Sequence, residues 1–300
     1  MATPTIRAAR LADADAIAAI AATTWPDREI EDYLPDVFES WVRSDGERQR
    51  TAVAVFDGEV AGICQVTMLS GYEAWLQGMR VARDHRGQGV ALALVDDLFG
   101  WARERGATVA RNLVYSWNPA GLGQSLAAGF EPCTSFRWLR PAPREDALDA
   151  VEGTATVASD PAAAWSCWLR SDARDALSGL VLDPDQRWAV SELTRERLRD
   201  RASAVLAVKG DGTRAMTWRN GVAERDGRRV ADYGAAAWAD ADAARTLLAA
   251  VRADAAAQDA DATRVLVPET PRHVAEAAFV RGAPEDEPHF VTEADLTGVA

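Results

Sequence analysis

The chain has 300 residues, of which 48% are hydrophobic and 26% charged, enough for two domains that each bury a core. Its formal net charge of -13 repels phosphate backbones, so a nucleic-acid partner is not expected. No run of 18 apolar residues and no basic-then-apolar leader is present, so the protein is expected to be soluble and cytoplasmic, without a membrane partner.

Cys64, Cys133 and Cys167 are scattered and odd in number, which reads as buried free thiols. His85, His273 and His289 are the only histidines, too few and too separated for a metal site. Lys209 is the one lysine among 33 basic residues. That usage, with abundant aspartate, suggests a halophilic protein; GC-rich coding is the competing explanation.

In chain order, the first distinctive segment runs from Trp25-Pro26-Asp27 through Asp32-Tyr33-Leu34-Pro35 to Trp41. Leu34, Phe38 and Trp41 fall at helical spacing and read as core, which leaves Asp32 and Tyr33 as contact residues. Residues 52–60 form a hairpin around Asp57-Gly58. In the strand at 75–81, Trp75, Gln77, Met79 and Val81 alternate with Leu76, Gly78 and Arg80, and Glu73 is placed on the face of Trp75, Gln77 and Met79. The turn Arg86-Gly87-Gln88-Gly89-Val90-Ala91 follows and opens a helix whose Leu94, Val95, Leu98 and Ala102 make one apolar face, stopped by Gly106. A strand at 108–115, a short helix after Asn118-Pro119 and the group Ala128-Gly129-Phe130 complete this half.

The glycine turn carries the chemistry. Gly87 and Gly89 allow positive φ and close approach of the backbone. The first N–H groups of the following helix lack internal acceptors, and the helix dipole favours an anion there. A ligand-free strand-to-helix turn is the bland alternative. The pattern Arg-x-x-Gly-x-Ala of Arg86, Gly89 and Ala91, inside the order strand, turn, helix, strand, short helix, Gly-Phe, resembles the GCN5-related N-acetyltransferase family over residues 4–140.

That resemblance implies an α/β (α+β) fold with a mixed, mostly antiparallel sheet flanked by helices, and acetyl-CoA as cosubstrate. The pyrophosphate would sit on residues 86–91, and the pantetheine arm would lie along Met79, Arg80 and Val81, between the strands at 75–81 and 108–115. It also implies direct attack by an amine. Glu73 is then the candidate base, with a solvated surface carboxylate as the equal alternative. Ser125 stands where family members often keep a proton-donating tyrosine. Asn118 either bonds the pantetheine arm or caps the short helix. Asp32, Tyr33, Trp75 and Gln77 are the candidate substrate contacts. Phrases around 32–35, 40–43, 78–91 and 292–296 are similar to histidine N-acetyltransferases, which implies a free amino acid or another small amine as acceptor. A peptide amino terminus, or acyl-CoA binding without turnover, are the rival readings. Oligomeric state is left open.

After a polar linker at 141–152 the plan recurs over 153–300: a hairpin at 204–218, a strand at 229–238, a helix at 243–257, a strand at 263–267 and Ala275 to Phe279. In place of the glycine turn stands Ala236-Ala237-Trp238-Ala239-Asp240-Ala241-Asp242. Two aspartates there would cap a helix and repel a phosphate. The expectation is therefore two tandem copies, a catalytic one at 1–140 and a degenerate one without a cofactor loop.

Overall fold

The computed structural model describes residues 3–25, 31–151, 155–186, 188–225 and 227–298. In chain order it runs β1 (Thr5–Ala8), α1 (Ala14–Ala22), α2 (Leu34–Ser44), β2 (Gln49–Phe56), β3 (Glu59–Met68), β4 (Glu73–Val81), α3 (Val90–Arg103), β5 (Val109–Tyr115), α4 (Pro119–Ala127) and β6 (Glu131–Leu139). Then come β7 (Thr156–Ala158), α5 (Pro161–Leu169), α6 (Asp172–Ala176), β8 (Leu180–Leu182), β9 (Val190–Glu192), α7 (Arg195–Asp200), β10 (Val205–Gly210) and β11 (Gly212–Arg225). The last elements are β12 (Arg228–Ala235), β13 (Ala237–Trp238), α8 (Ala241–Ala256), β14 (Ala262–Pro268), α9 (Pro271–Phe279) and β15 (His289–Asp295).

The chain forms two compact units whose membership is not contiguous in sequence. The first comprises residues up to Val114, Asn118–Pro132 and the segment from Val291 onward; the second comprises Tyr115–Trp117 and Cys133–Phe290. Residues 141–151 of the expected linker belong to the second unit, where Arg144 N donates to Arg252 O and Thr263 Oγ1 donates to Pro141 O. Residue 152 lies outside the described residues.

In the first unit the strand order is β1-β2-β3-β4-β5, with the end of β15 beside β5, where Leu296 N donates to Thr108 O. The pairs from β1 to β4 are antiparallel, and β4 and β5 are parallel. Both faces of this sheet are covered. Ala52, Cys64, Val66 and Leu76 pack under Val90, Leu94 and Leu98 of α3. On the other face Val53 and Ile63 meet Ile17 of α1 and Leu34 and Phe38 of α2. The β2–β3 connection is a two-residue turn with positive φ at Asp57 and Gly58, the geometry that matches strand twist.

The second unit has the order β6-β14-β12-β11-β10-β7, with β12 and β14 parallel and the other pairs antiparallel. Its core sets Leu247, Leu248 and Val251 of α8 against Tyr233, Val265 and Trp238. The strand expected at 229–238 is two strands, β12 and the short β13, which turns away to pair with β11. Element order repeats along the chain: β2-β3-β4-α3-β5-α4-β6 and β10-β11-β12-α8-β14-α9-β15, with β6 pairing in the second unit and most of β15 belonging to the first.

Candidate active site

The parallel ladder between β4 and β5 contains only Glu73↔Val109, Ala74↔Ala110 and Trp75↔Arg111. Beyond it β4 continues to Val81 and β5 to Tyr115 without pairing, so a gap opens between them. On the other side of β4 the register slips: Gln77 opposes Gln65, but Arg80 opposes Ile63. Gly78 and Met79 thus face the single residue Cys64, a bulge of the kind that re-aims side chains. Gly78 has φ +69°, and a Cβ there would lie 2.7 Å from the Trp41 ring, so glycine is required both by the backbone and by packing.

The bulge corrects the expected alternation. Met79 and Val81 pack on the α3 side of the sheet, with Leu76, whereas Arg80 turns its guanidinium to the α1–α2 side. Met79 therefore does not share a face with Gln77 and Glu73.

At the end of β4 the glycine turn has the conformation its sequence requires. Gly87 and Gly89 have φ +74° and +81°, and a Cβ on either would project into open space. Gly89 is the N-cap of α3; no side chain caps the helix and its first turn carries no acid. Arg86 Nε donates to Val81 O at 3.3 Å, and Gln88 Nε2 to Asp84 O at 2.8 Å, which holds the turn folded over the strand end. Open space above bare backbone N–H groups at a helix start suits a diphosphate. Val90 is buried in the α3 core and anchors the turn from below. Ala91, one position on, is partly exposed.

The corresponding place in the second unit differs: its helix start is capped and acidic. Asp240 caps α8 by accepting from Ala243 N at 2.9 Å and is paired with Arg214, and Asp242 follows in the first turn. The β12–β14 ladder runs from Val230↔Ala262 to Ala235↔Leu266, and Ala236 N then donates to Leu266 O. No gap opens between these two strands.

The closed end of the first unit's gap holds the expected catalytic carboxylate. Glu73 is 1% exposed, lies within the paired stretch and accepts from Arg111 Nη1 at 3.0 Å. Arg111 also donates from Nε to Glu293 at 3.1 Å. The solvated alternative for Glu73 is thereby corrected, and the carboxylate stands outside the open part of the gap. Trp75, an expected substrate contact, is likewise in the paired stretch and is 1% exposed. Ser125 is fully buried on α4 and accepts from Asn112 Nδ2 at 3.1 Å; Thr292 Oγ1 donates to Asn112 Oδ1. Asn118 takes the capping role of its two expected ones, accepting from Gly121 N at 3.0 Å.

The α1–α2 side is organised around Arg80. Its guanidinium pairs with Asp32 and stands 4.5 Å from the Trp25 ring centre and 5.6 Å from that of Tyr33. Arg80 Nη1 also donates to Met79 O at 3.0 Å. Tyr33 is 43% exposed and meets Trp41 edge-on. A cavity of about 260 Å³ opens here, lined by Ala18, Ala22, Trp25, Glu31, Asp32 and Pro35. Pro26 and Asp27 of the expected acceptor segment lie outside the described residues.

Three residues on the β2–β3 side of β4 escape a sequence reading: Asp45, Thr51 and Gln65, which form a hydrogen-bonded chain ending on Gln77. The signal was present, since Thr51 and Gln65 are polar residues inside otherwise apolar strands and both are buried. Arg80 was expected to serve through its backbone, and its side chain proves to organise the opposite face.

Comparison with known proteins agrees with this geometry. Residues 14–122 match the acetyltransferase (GNAT) family. The aminoglycoside N(6')-acetyltransferase type 1 of Klebsiella aerogenes is 28% identical over 145 residues, which cover 46% of this chain and 95% of that protein. A GCN5-related N-acetyltransferase from Sphaerobacter thermophilus superposes with a TM-score of 0.64, covering 99% of this chain and 97% of the other at 16% identity, a likeness of fold alone. The match spans the α1–α2 segment, the bulged strand and the uncapped glycine turn, and residues 14–122 are an acetyltransferase (GNAT) family domain.

Proposed function

We propose that the first unit transfers the acetyl group of acetyl-CoA to a primary amine of a small cationic molecule, an aminoglycoside-like or amino-acid-like acceptor. The observation that carries this reading is the unpaired stretch of β4 leading into the uncapped glycine turn. Backbone N–H groups of residues 87–91 and the Arg86 side chain would hold the diphosphate, the Arg86 N–H being taken by Arg83 O. The unpaired edge of β4 around Met79 and Val81 offers backbone groups to the pantetheine amides. Acetyl-CoA supplies an acyl thioester. As the amine attacks, the N–C bond forms and the C–S bond breaks; the amine proton leaves to water, and the thiolate takes a proton from solvent.

The acceptor class follows from Glu31 in the wall of the α1–α2 cavity, whose carboxylate favours a cationic acceptor, since Asp32 and the Trp25 ring there are already engaged by Arg80. The aminoglycoside-modifying relative supports a small polar amine as acceptor. Glu73 and Ser125 hold the closed end of the gap and α4 in place, and neither handles the transferred proton. The second unit is a diverged copy that does not bind the cosubstrate.

Thiol release from acetyl-CoA, measured with kanamycin A, L-histidine, putrescine and a basic peptide amine, tests the assignment. Release with one of the small amines is the expected result. Acetyl-CoA binding by calorimetry with no release for any of them would leave a binding protein instead of an enzyme.

A further inference from the structure

Three polar side chains cross the first unit's sheet in one line, on the face covered by α1 and α2. Thr51 of β2, Gln65 of β3 and Gln77 of β4 are register partners in turn. Gln77 Nε2 donates to Gln65 Oε1 at 2.7 Å, and Gln65 Nε2 donates to Thr51 Oγ1 at 3.1 Å. Thr51 Oγ1 donates to Asp45 Oδ1 at 3.0 Å. Thr51 and Gln65 are 0% and 1% exposed, so both side chains depend on these bonds.

The polarity of the line is set at one end. An ionised carboxylate only accepts, so Asp45 fixes the Thr51 hydroxyl as a donor toward it. Asp45 is itself held by Thr51 N at 3.0 and 2.9 Å and by Gln49 Nε2 at 3.4 Å. The Thr51 oxygen can then accept from Gln65, which must offer its NH₂ there and its carbonyl to Gln77. Gln77 in turn must point its NH₂ inward. Its Oε1 is left as the outer end, accepting from no described residue, at a partly exposed position beyond the last β4–β5 pair. A free glutamine amide has two orientations of nearly equal cost, and this line removes one of them.

We propose that Asp45, Thr51 and Gln65 are positioning residues that present the Gln77 carbonyl oxygen to the gap as the hydrogen-bond acceptor for the incoming amine. The role rests on the acetyltransferase reading. Gln77 takes no proton; accepting one N–H of the amine aims the nitrogen lone pair at the thioester carbon.

The test uses the full chain, with acetyl-CoA and whichever of kanamycin A, L-histidine and putrescine releases thiol. Thr51→Val preserves shape and removes the hydroxyl; we expect the amine KM to rise about tenfold, as for one well-aligned hydrogen bond, with the acetyl-CoA KM unchanged. Thr51→Ser restores the wild-type amine KM. Gln77→Met raises it similarly, and Thr51→Val adds nothing on top of Gln77→Met, because the line acts only through Gln77. Additive effects, or equal rises in both KM values, would overturn the proposal.

The side-chain amide spectrum of glutamine-labelled protein reads the line without any acceptor. Slowly exchanging Gln65 and Gln77 NH₂ protons that lose protection in Thr51→Val support it; fast exchange in the wild type refutes it. If no amine releases thiol, the acetyltransferase reading fails and the role at Gln77 fails with it, whatever the spectrum shows.

Discussion

Arg80 holds Asp32 through two parallel hydrogen bonds, Nε to Oδ2 at 2.7 Å and Nη2 to Oδ1 at 3.1 Å, with the two side chains only 9% and 6% exposed. The pair joins the bulged strand to the start of α2, where Asp32 Oδ1 also accepts from Leu34 N at 3.1 Å. One ion pair therefore fixes the strand that lines the gap and the segment that walls the α1–α2 cavity.

Arg80→Met leaves the Asp32 carboxylate nearly buried without its partner. The expected cost is about 3–5 kcal/mol, seen as a lower urea midpoint. In the folded fraction the amine KM should rise and the acetyl-CoA KM should stay close to wild type, because the glycine turn is not touched. A matching loss of cosubstrate affinity would contradict this division of labour.

Gly89→Asp places a negative charge where the diphosphate is expected, in open space and at an N-cap position that tolerates aspartate. The fold should persist, with a small penalty for φ +81°, while coenzyme A binding disappears in calorimetry. In the wild type the same titration should give one site per chain, since Asp240 already occupies the corresponding cap in the second unit. Two sites per chain would remove the contrast between the units.

Glu73→Gln separates structural from chemical roles. Removing the charge that faces buried Arg111, which keeps Glu293 as a partner, should destabilise by about 1–3 kcal/mol. Turnover per folded molecule should fall less than tenfold. A loss of roughly 10²-fold or more without a stability change would restore Glu73 as the base.

His289 supplies a pH signature. Its ring is 6% exposed and stacks on Phe136, with Tyr115 and Trp138 around it. Burial, reinforced by Arg264, Arg140 and Arg137, pushes its pKa down to about 4. The folded state thus resists protonation that the unfolded state accepts at an ordinary histidine pKa near 6.5. Stability is full above that value and falls as the pH drops toward about 4, by about 3 kcal/mol in all. His289→Phe should flatten the dependence of the urea midpoint over this window. An unchanged slope would show that other groups dominate it.

What the sequence determined by itself was local: the two glycines that open α3, the hairpin at Asp57-Gly58, the apolar face of α3, and the aspartates that close the same place in the second unit. Each is set by the φ that a residue allows or by the spacing of neighbours on one helix, so a short stretch of chain suffices. Only the tertiary structure decided which strands pair and in what register. A one-residue bulge at Gly78 sent Arg80, and not Met79, to the α1–α2 side. Arg111, distant in sequence, buried Glu73. The strand after α4 joined β14, while the chain's last strand reached β5. Side chains alternate with a period of two along a strand, so a single slip exchanges the faces, and pairing between distant segments leaves no mark on either one alone.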